Sequence, residues 1–437
     1  MIKMMKNSWA LFIGIGIMMI AHGLQGNLMG IRSVIENFNF IATGTMMSGY
    51  YVGFFFGSTM APKLVSRVGH IRVFAAFASL ASLSILIISA YVNPVVWTFA
   101  RFVTGMSIVS CLVVAESWLN DRANNRTRGK LLSVYMIITF TGLAVGMLLL
   151  NFDSPENYKP FILVSILLSI ALVPILLTKR KAPKFKKIGT LKLKELYKIS
   201  PLGCVSSFCT GIIHSALFTL AAVYAATVNF SIFEISLLLF LITIAGALFQ
   251  WPIGYLSDQF DRRVIIVLCT TVGAVFCVLS IFASGHTFTS FPTMQYINVV
   301  VDPGADKLMF FIFVTVYAGA SLSLFSLNVA HTNDFVPKEK FVAAGGGLNT
   351  IFGIGAMGGP IICSIFMNEF GPNSFFVFLL IFHVIIAIFA LYRITRRSTE
   401  DNPDSTFTPL PKNITPLGME LDPDTGVDLS SVDKKIK

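Results

Sequence analysis

The sequence contains few charged residues. Asp, Glu, Lys and Arg together make up 13% of its 437 residues, whereas 55% are hydrophobic and the mean hydropathy is +0.76. A soluble domain has roughly 25% charged residues, because it must keep its surface hydrated. A soluble enzyme is therefore excluded, and the composition predicts an integral membrane protein.

The sequence also lacks the residue patterns of catalytic and redox sites. It contains no C-x-x-C pair, P-loop, metal-ligand cluster or nucleophile triad, so we expect no cofactor, no ATP-driven transport and no enzymatic activity. The net charge of +11 does not predict nucleic-acid binding, because most Lys and Arg residues lie in short loops between apolar segments. We interpret the cysteines, which all fall within apolar segments, as reduced packing residues: Cys111, Cys204, Cys209, Cys269, Cys277 and Cys363.

Long apolar segments are what the sequence has in abundance. A membrane-spanning helix needs about 20 predominantly apolar residues, and twelve segments satisfy this requirement. The first is too long for the hydrophobic part of a signal peptide, so we expect it to be retained. The predicted spans one to twelve are 8–30, 40–62, 71–91, 95–118, 130–151, 159–178, 200–226, 233–256, 263–284, 308–331, 341–366 and 373–394.

The distribution of basic residues predicts the orientation of the spans, because positively charged loops stay on the cytoplasmic side. With both termini in the cytoplasm, 29 of the 33 Lys and Arg residues lie in cytoplasmic segments. Three lie in external segments (Arg32, Lys159 and Lys307), and one, Arg101, lies inside a span. We therefore predict a multi-pass protein of the cell inner (plasma) membrane, with both termini cytoplasmic.

The spans divide into two sets of six. Residues 1–178 and 200–397 are the predicted N-terminal and C-terminal halves, joined by a basic cytoplasmic linker at 179–199. The linker has nine Lys or Arg residues, which we expect to lie against anionic lipid head groups; a regulatory binding site is the alternative. Residues 398–437 are rich in Pro, Ser, Thr and acids, and this composition predicts a disordered acidic cytoplasmic tail.

A weak internal repeat relates the two halves. Placing the loop after span two over the loop after span eight requires an offset of 192 residues, and the same offset aligns His22 with His214. An offset of 215 residues aligns Glu116 of span four with His331 of span ten. The repeat predicts an all-α membrane fold of twelve transmembrane helices in two pseudo-symmetric six-helix halves.

Several motifs of the chain resemble those of one family. The loop 254–263 is similar to the G-x-x-x-D-R-x-G-R-R motif of the major facilitator superfamily, and Arg101-Phe-Val-Thr-Gly105 resembles its R-x-x-x-G motif. The first-half copy of the loop motif has Pro62 and Ser66 where the family usually has Gly and Asp. The resemblance covers all twelve spans, and it implies the fold of that superfamily, with Arg101 facing the central cavity.

Shorter segments are similar to the bacterial YcaD-like transporters of the same superfamily. They are residues 115–118, 128–130 and 333–360. Proton-driven drug antiporters of the superfamily usually have a Gly-Pro pair at the external end of span five. The chain has none there, and this difference weakens the assignment to that group.

Arg101 is the one definite charge predicted deep inside a span. Its guanidinium cannot lose its charge, so it must face a partner, a water-filled cavity or a substrate. Structural pairing with backbone carbonyls, or snorkelling toward the external surface, is the alternative. His22 and Gln25, one turn apart, and the matched His214 are predicted to line the cavity, although each histidine alone could be a packing residue. Further candidates, with interhelical hydrogen bonding as the alternative, are Gln250, Asn328 and Asn349.

Charged residues at the cytoplasmic ends of the spans are candidates for gating. Asp258 can cap a neighbouring helix, while Arg262 and Arg263 can pair with Asp334 at the foot of span ten. We expect these contacts to hold one half against the other in the outward-facing state; ordinary helix-end charges are the alternative. In the first half, Arg67 or Arg72 is expected to pair with Glu116.

These features predict a secondary transporter that moves a small solute by alternating access, as the halves rock around a midplane site. We expect the proton to be the coupling ion and the protein to be a monomer in the lipid bilayer. Arg101 favours an anionic or zwitterionic solute, such as a carboxylate or an amino acid. Export of a hydrophobic or cationic compound is one alternative, which a cavity acid would favour, but none is evident. A transporter-like membrane sensor or assembly protein is another.

Overall fold

The structure, a computed structural model, describes residues 2–124, 127–177, 191–284, 303–396, 405–411 and 413–425. Helices make up most of these residues, and the described part of the chain contains no β-strand. Helices satisfy their backbone hydrogen bonds internally, as a segment in lipid must. All six cysteines are buried and free, as predicted.

Every predicted span is helical. Spans eight and ten each consist of two consecutive helices, and a short linker helix, Leu193–Ile199, precedes span seven. Residues Leu149–Phe152 add a turn of 3₁₀-helix to span five. The helices of spans one to twelve are Ile2–Ile35, Phe40–Val68, His70–Ala90, Pro94–Arg122, Arg128–Leu148, Lys159–Leu176, Pro201–Thr227, Ile232–Leu248 with Gln250–Gln259, Arg262–Ala283, Pro303–Leu322 with Leu324–Asn333, Phe341–Phe370 and Ser374–Arg396.

Eleven of the described helices are long and apolar enough to cross a membrane. Span two is not among them, although it is a continuous helix of 29 residues. Its sequence is rich in glycine, serine, threonine and tyrosine, and many of these residues are buried against other spans. Because span two is covered by spans four and eleven, it needs less apolar surface than a helix that faces lipid.

Short connections join most successive spans, which therefore run in opposite directions and give the bundle two faces. We call the face with the linker helix the linker face; it is the predicted cytoplasmic side. At the opposite face the halves touch. A Cβ added at Gly44 of span two would lie 2.6 Å from the carbonyl oxygen of Pro360 in span eleven. Asn151 donates a hydrogen bond to Ser236 of span eight at 2.7 Å. The opposite face is therefore closed.

At the linker face, the described part of the tail occupies the space between the halves. We call residues 405–411 and 413–425 the tail segment. Contrary to the prediction, this segment is not disordered. The prediction was based on the charged and small residues of the tail and overlooked its apolar residues, which gain stability by burial. The buried apolar side chains, each at most 5% exposed, are Leu410, Ile414, Leu417, Met419 and Leu421.

The basic run of the linker lies mostly outside the described residues. Leu196 of the linker helix is fully buried, and a Cβ added at Gly347 of span eleven would lie 2.7 Å from its Cδ2 atom. Lys340 and Glu195 form an exposed ion pair at 3.6 Å. The linker helix is thus held against the second half, while contact of the basic run with lipid stays a prediction.

Candidate functional site

Arg101 lies in the interior of the first half. Its side chain is 1% exposed, and its guanidinium carbon is 4.8 Å from the ring centroid of Tyr50 in span two. The Tyr50 ring stabilises the cation. Among the described residues, however, the Nε and Nη1 atoms of Arg101 have no hydrogen-bond partner. A permanent positive charge with two unused donors is suited to binding an anion.

Gly105, one turn after Arg101, explains how this pair forms. A Cβ added at Gly105 would lie 1.9 Å from the carbonyl oxygen of Tyr50, and one added at Gly53 would lie 1.9 Å from that of Phe102. The backbones of spans two and four can approach this closely only because both positions are glycine. The close approach holds the Tyr50 ring against Arg101, so the glycine of the R-x-x-x-G pattern positions the arginine.

His22 and Gln25 extend the cluster to span one. The Nε2 atom of His22 is 3.2 Å from the hydroxyl oxygen of Tyr50, and the two rings stack with centroids 5.2 Å apart. Gln25 donates a hydrogen bond to Thr104 Oγ1 at 3.4 Å, and Thr104 lies one turn from Arg101 in span four. The structure therefore brings together the three candidates of the first half.

His214 lies in the second half and makes different contacts. Its Nε2 atom is 2.9 Å from the carbonyl oxygen of Ser321, and its ring meets that of Phe352 edge to face. It borders a cavity of about 20 Å³, together with Gln250 and the tail residue Leu410. His214 is thus near the space between the halves but is not part of the Arg101 cluster.

Gln250 and Asn328 have different environments. Gln250 Oε1 accepts hydrogen bonds from the hydroxyl of Ser326 at 3.3 Å and from the backbone N–H of Leu410 at 3.1 Å. Asn328 is fully buried, and it donates to Thr210 Oγ1 in span seven at 3.5 Å. Gln250 therefore faces the tail segment, whereas Asn328 joins one helix of the second half to another.

Arg262 joins the two acids that we predicted to take part in gating. Its Nη2 atom is 3.1 Å from Asp258 Oδ1, and its Nη1 atom is 3.0 Å from Asp334 Oδ1. It also donates to the hydroxyl and carbonyl oxygens of Ser405 in the tail segment, at 2.8 and 2.7 Å. Arg263 pairs with Asp261 at 2.7 Å.

These contacts differ in two respects from the predicted contacts between the halves. Asp258, Arg262 and Asp334 all belong to the second half, so their ion pairs do not hold one half against the other. The pairs are also formed while the opposite face is closed, whereas we expected them in the outward-facing state. The loop after span eight is so short that Asp258 and Arg262 are four residues apart, and this spacing keeps the contact local.

Among the described residues Glu116 contacts neither Arg67 nor Arg72, which is also exposed, contrary to the prediction. In the described structure Arg67 is exposed at the end of span two, while Glu116 is fully buried. The hydroxyl of Tyr135 donates to Glu116 Oε1 at 2.9 Å. The backbone N–H of Thr415 lies 3.2 and 3.3 Å from the two carboxylate oxygens, and the Thr415 hydroxyl also donates to one of them. Glu116 thus faces the space between the halves and binds the tail segment.

Two asparagines hold the backbone of the tail segment: Asn349, which was a candidate with an interhelical hydrogen bond as its alternative, and Asn120, which sequence reasoning missed. Asn120 of span four donates to the carbonyl oxygen of Leu417 at 2.7 Å, and Asn349 of span eleven donates to that of Ile414 at 2.9 Å. The signal that could have found the segment is the recurrence of leucine or isoleucine every three or four residues in 410–421, a pattern that a disordered tail does not need.

Little empty space remains between the halves. A cavity of about 90 Å³ lies between spans two and eleven, with Tyr51 and Phe55 on one wall, Asn349 and Phe352 on the other, and Ile414 beside them. Pockets for drug-sized ligands have volumes of roughly 300 Å³ or more, so the tail segment leaves room for only a few small groups. The described residues contain no cluster that could hold a metal ion.

A helical bundle of two six-span halves, closed at one face and separated at the other, defines the class of multi-pass membrane transporters. The family model of the Major Facilitator Superfamily matches residues 11–285 and 203–423. The chain belongs to this superfamily. The predicted fold class and the family resemblance are both confirmed.

Individual relatives agree with this assignment. The chain is 23% identical to the MFS-type transporter YcaD of Escherichia fergusonii over 369 residues, which are 84% of this chain and 90% of the relative. The nucleoside transporter NupG has a similar solved structure, with a TM-score of 0.69 at 12% identity over 89% of this chain and 98% of NupG. A bacterial homologue of the human lysosomal transporter Spinster, inward-facing and unoccupied, has a TM-score of 0.68 at 12% identity over 89% of this chain and 96% of the homologue. At such identities the solved structures show the fold alone.

Proposed function

We propose that the chain is a proton-coupled secondary transporter that moves a small anionic or zwitterionic solute by alternating access. The observation that supports this solute class is the buried, incompletely hydrogen-bonded guanidinium of Arg101. A carboxylate can accept two parallel hydrogen bonds from a guanidinium. Arg101 is seven residues from the start of span four at the opposite face, about 10 Å at 1.5 Å per residue. This depth is suited to a site that both faces reach in turn.

The contact between His22 and Tyr50 supports proton coupling in the same cluster. Tyr50 contacts both His22 and Arg101, so a side chain that can carry a proton lies next to the proposed anion site. An anion bound to Arg101 would bring negative charge close to the imidazole, with which a protonated His22 would pair. Solute and proton would then bind together, which is the requirement for symport.

The test of the solute site is transport by proteoliposomes supplied with labelled carboxylates, amino acids and nucleosides. We expect accumulation of at least one anionic or zwitterionic solute. Arg101→Lys keeps the charge but loses the planar fork, so solute affinity should fall roughly 10- to 100-fold, the equivalent of about 1.5 to 3 kcal/mol. Arg32→Lys, at the opposite face, is the matched control. Wild-type transport by Arg101→Ala would overturn the proposed role.

The test of coupling separates exchange from accumulation. His22→Gln and His214→Gln retain hydrogen-bonding groups but cannot take up a proton near neutral pH. If the substituted histidine takes part in coupling, we expect its variant to exchange solute across the membrane but to lose accumulation driven by a pH gradient. Normal gradient-driven accumulation by the double variant would leave both histidines as packing residues.

Export of a cationic compound is a second candidate, and Glu116 now favours it. The sequence showed no evident acid in the cavity, but the described Glu116 carboxyl faces the space between the halves. A lipophilic cation such as tetraphenylphosphonium distinguishes the two candidates. If the chain exports cations, Glu116→Gln should abolish transport of this probe and Arg101→Ala should not. The reverse dependence, with an anionic solute, is expected from our proposal.

A further inference from the structure

The tail segment is held by side chains from both halves of the bundle. Each of these side chains bonds to the tail backbone, and Glu116 also accepts from the Thr415 hydroxyl, so the contacts fix the course of the segment between the halves. Together they run along the segment from its beginning to Leu417. Three side chains accept from backbone N–H groups: Asp258 from Phe407 (2.8 Å), Gln250 from Leu410 (3.1 Å) and Glu116 from Thr415 (3.2 Å). Two side chains donate to backbone carbonyl oxygens: Asn349 to Ile414 (2.9 Å) and Asn120 to Leu417 (2.7 Å).

Glycines in the helical walls give the tail segment room to bind. A Cβ added at Gly254 of span eight would lie 2.3 Å from the ring of Phe407. At the linker-face end of span eleven, a Cβ at Gly345 would lie 3.2 Å from Met419. Any larger residue at Gly254 would collide with the segment. The walls are therefore shaped to accept it.

The apolar side chains of the tail segment complete the fit. Ile414, Leu417, Met419 and Leu421 are almost fully buried between the halves. Their burial removes apolar surface from water, which favours binding by roughly 25 cal/mol per Å². Backbone hydrogen bonds, the space left by wall glycines and apolar contacts thus all favour binding of the same short segment.

We infer that the inner walls of the two halves form a binding site for the chain's own tail segment, and that the bound segment plugs the pathway at the linker face. A solute cannot pass between the halves while the segment fills this space. The halves also cannot close at the linker face, so the opposite face cannot open. This consequence for transport rests on the proposed function, whereas the binding itself does not.

Thr139 is a reporter of the plug. Its side chain is 5% exposed and borders a small cavity that Pro411 and Asn413 help to close. The experiment places Thr139→Cys in a chain without its six native cysteines, in nanodiscs that leave both faces accessible. The rate of labelling by a water-soluble maleimide is then measured. Ser66→Cys, at an exposed position at the end of span two, is the control for reagent and folding.

Two truncations form a matched pair. A chain that ends at residue 404 lacks the tail segment, whereas one that ends at residue 425 keeps it. We expect at least tenfold faster labelling of Thr139→Cys in the shorter chain and no change in the longer one. Gly418→Leu in the full chain should have the effect of the shorter truncation, because a Cβ at Gly418 would lie 2.8 Å from Glu116 Oε2. Unchanged labelling in both variants would overturn the inference.

A synthetic peptide of residues 405–425 tests whether the site binds the segment itself. Added to the chain that ends at residue 404, it should restore slow labelling of Thr139→Cys, while a peptide of scrambled sequence should not. Protection by both peptides equally, or by neither, would contradict a specific binding site. This labelling readout does not require transport. If the peptide protects Thr139→Cys but the protein moves no tested solute, the proposed function is refuted and the inference about the tail segment still holds.

Discussion

At the scale of single residues, exposure decides how much each ion pair of Arg262 contributes to the free energy of unfolding. Asp334 is 13% exposed and Asp258 is 39% exposed, although both pair with Arg262 at about the same distance. Neutralising Asp334 removes the buried ion pair of Arg262, which water screens little, whereas water screens the exposed pair with Asp258. We expect Asp334→Asn to lower the free energy of unfolding by about 2 to 3 kcal/mol and Asp258→Asn by less than about 1 kcal/mol. Unfolding in detergent measures both, and equal losses would contradict this assignment.

Asp422 makes binding of the tail segment depend on pH. Burial raises the pKa of its carboxyl from 3.8 to about 6, in a site that also contains Asp424, Arg128 and the hydroxyl of Thr408. Because the bound state favours the protonated carboxyl, binding is strongest below pH 3.8 and weakens as pH rises to about 6. A labelled tail peptide should bind the chain lacking the segment about tenfold more weakly at pH 7 than at pH 5. Asp422→Asn should remove most of this difference, and tighter wild-type binding at pH 7 would contradict it.

At the scale of helices, the spans could be predicted because lipid imposes a local rule. A segment in the hydrocarbon core must close its own backbone hydrogen bonds, so length and hydropathy suffice to find it. The same rule singled out Arg101 as a residue that needs a partner. The rotation of a helix about its axis follows no such local rule. Glu116 faces the space between the halves rather than Arg67 because of how span four packs, and packing is not readable from one helix.

The tail segment was mispredicted for a related reason. Its average composition is that of a disordered chain, yet Leu410, Ile414 and Leu417 are buried against residues from both halves. Whether such residues are buried depends on a surface formed far away in the sequence. Local composition is therefore a poor guide to a segment whose binding site is formed by the rest of the molecule.

At the scale of the whole molecule, both faces stabilise the same conformation, in which the opposite face is closed and the linker face is open. The contact of Gly44 with Pro360 closes the opposite face, and the tail segment keeps the halves apart at the linker face. Alternating access needs both conditions to reverse together. A change that opens the opposite face is therefore resisted as long as the tail segment is bound, so the two features should be energetically coupled.

Gly44→Ala tests this coupling. The added Cβ would lie 2.1 Å from Ser364 Oγ and 2.6 Å from the carbonyl oxygen of Pro360, so it should push spans two and eleven apart at the opposite face. Gly26→Ala, where an added Cβ meets nothing within 4 Å, is the matched control. Ser48→Cys, at a position 1% exposed and one turn beyond Gly44, reports opening of the opposite face by its labelling rate.

In the full chain we expect Gly44→Ala to raise this labelling rate only slightly, because the bound tail segment opposes closure of the linker face. In the chain that ends at residue 404 the same substitution should raise the rate about tenfold further, within the usual range of coupling between sites. Equal effects in the two chains would show that the faces open independently.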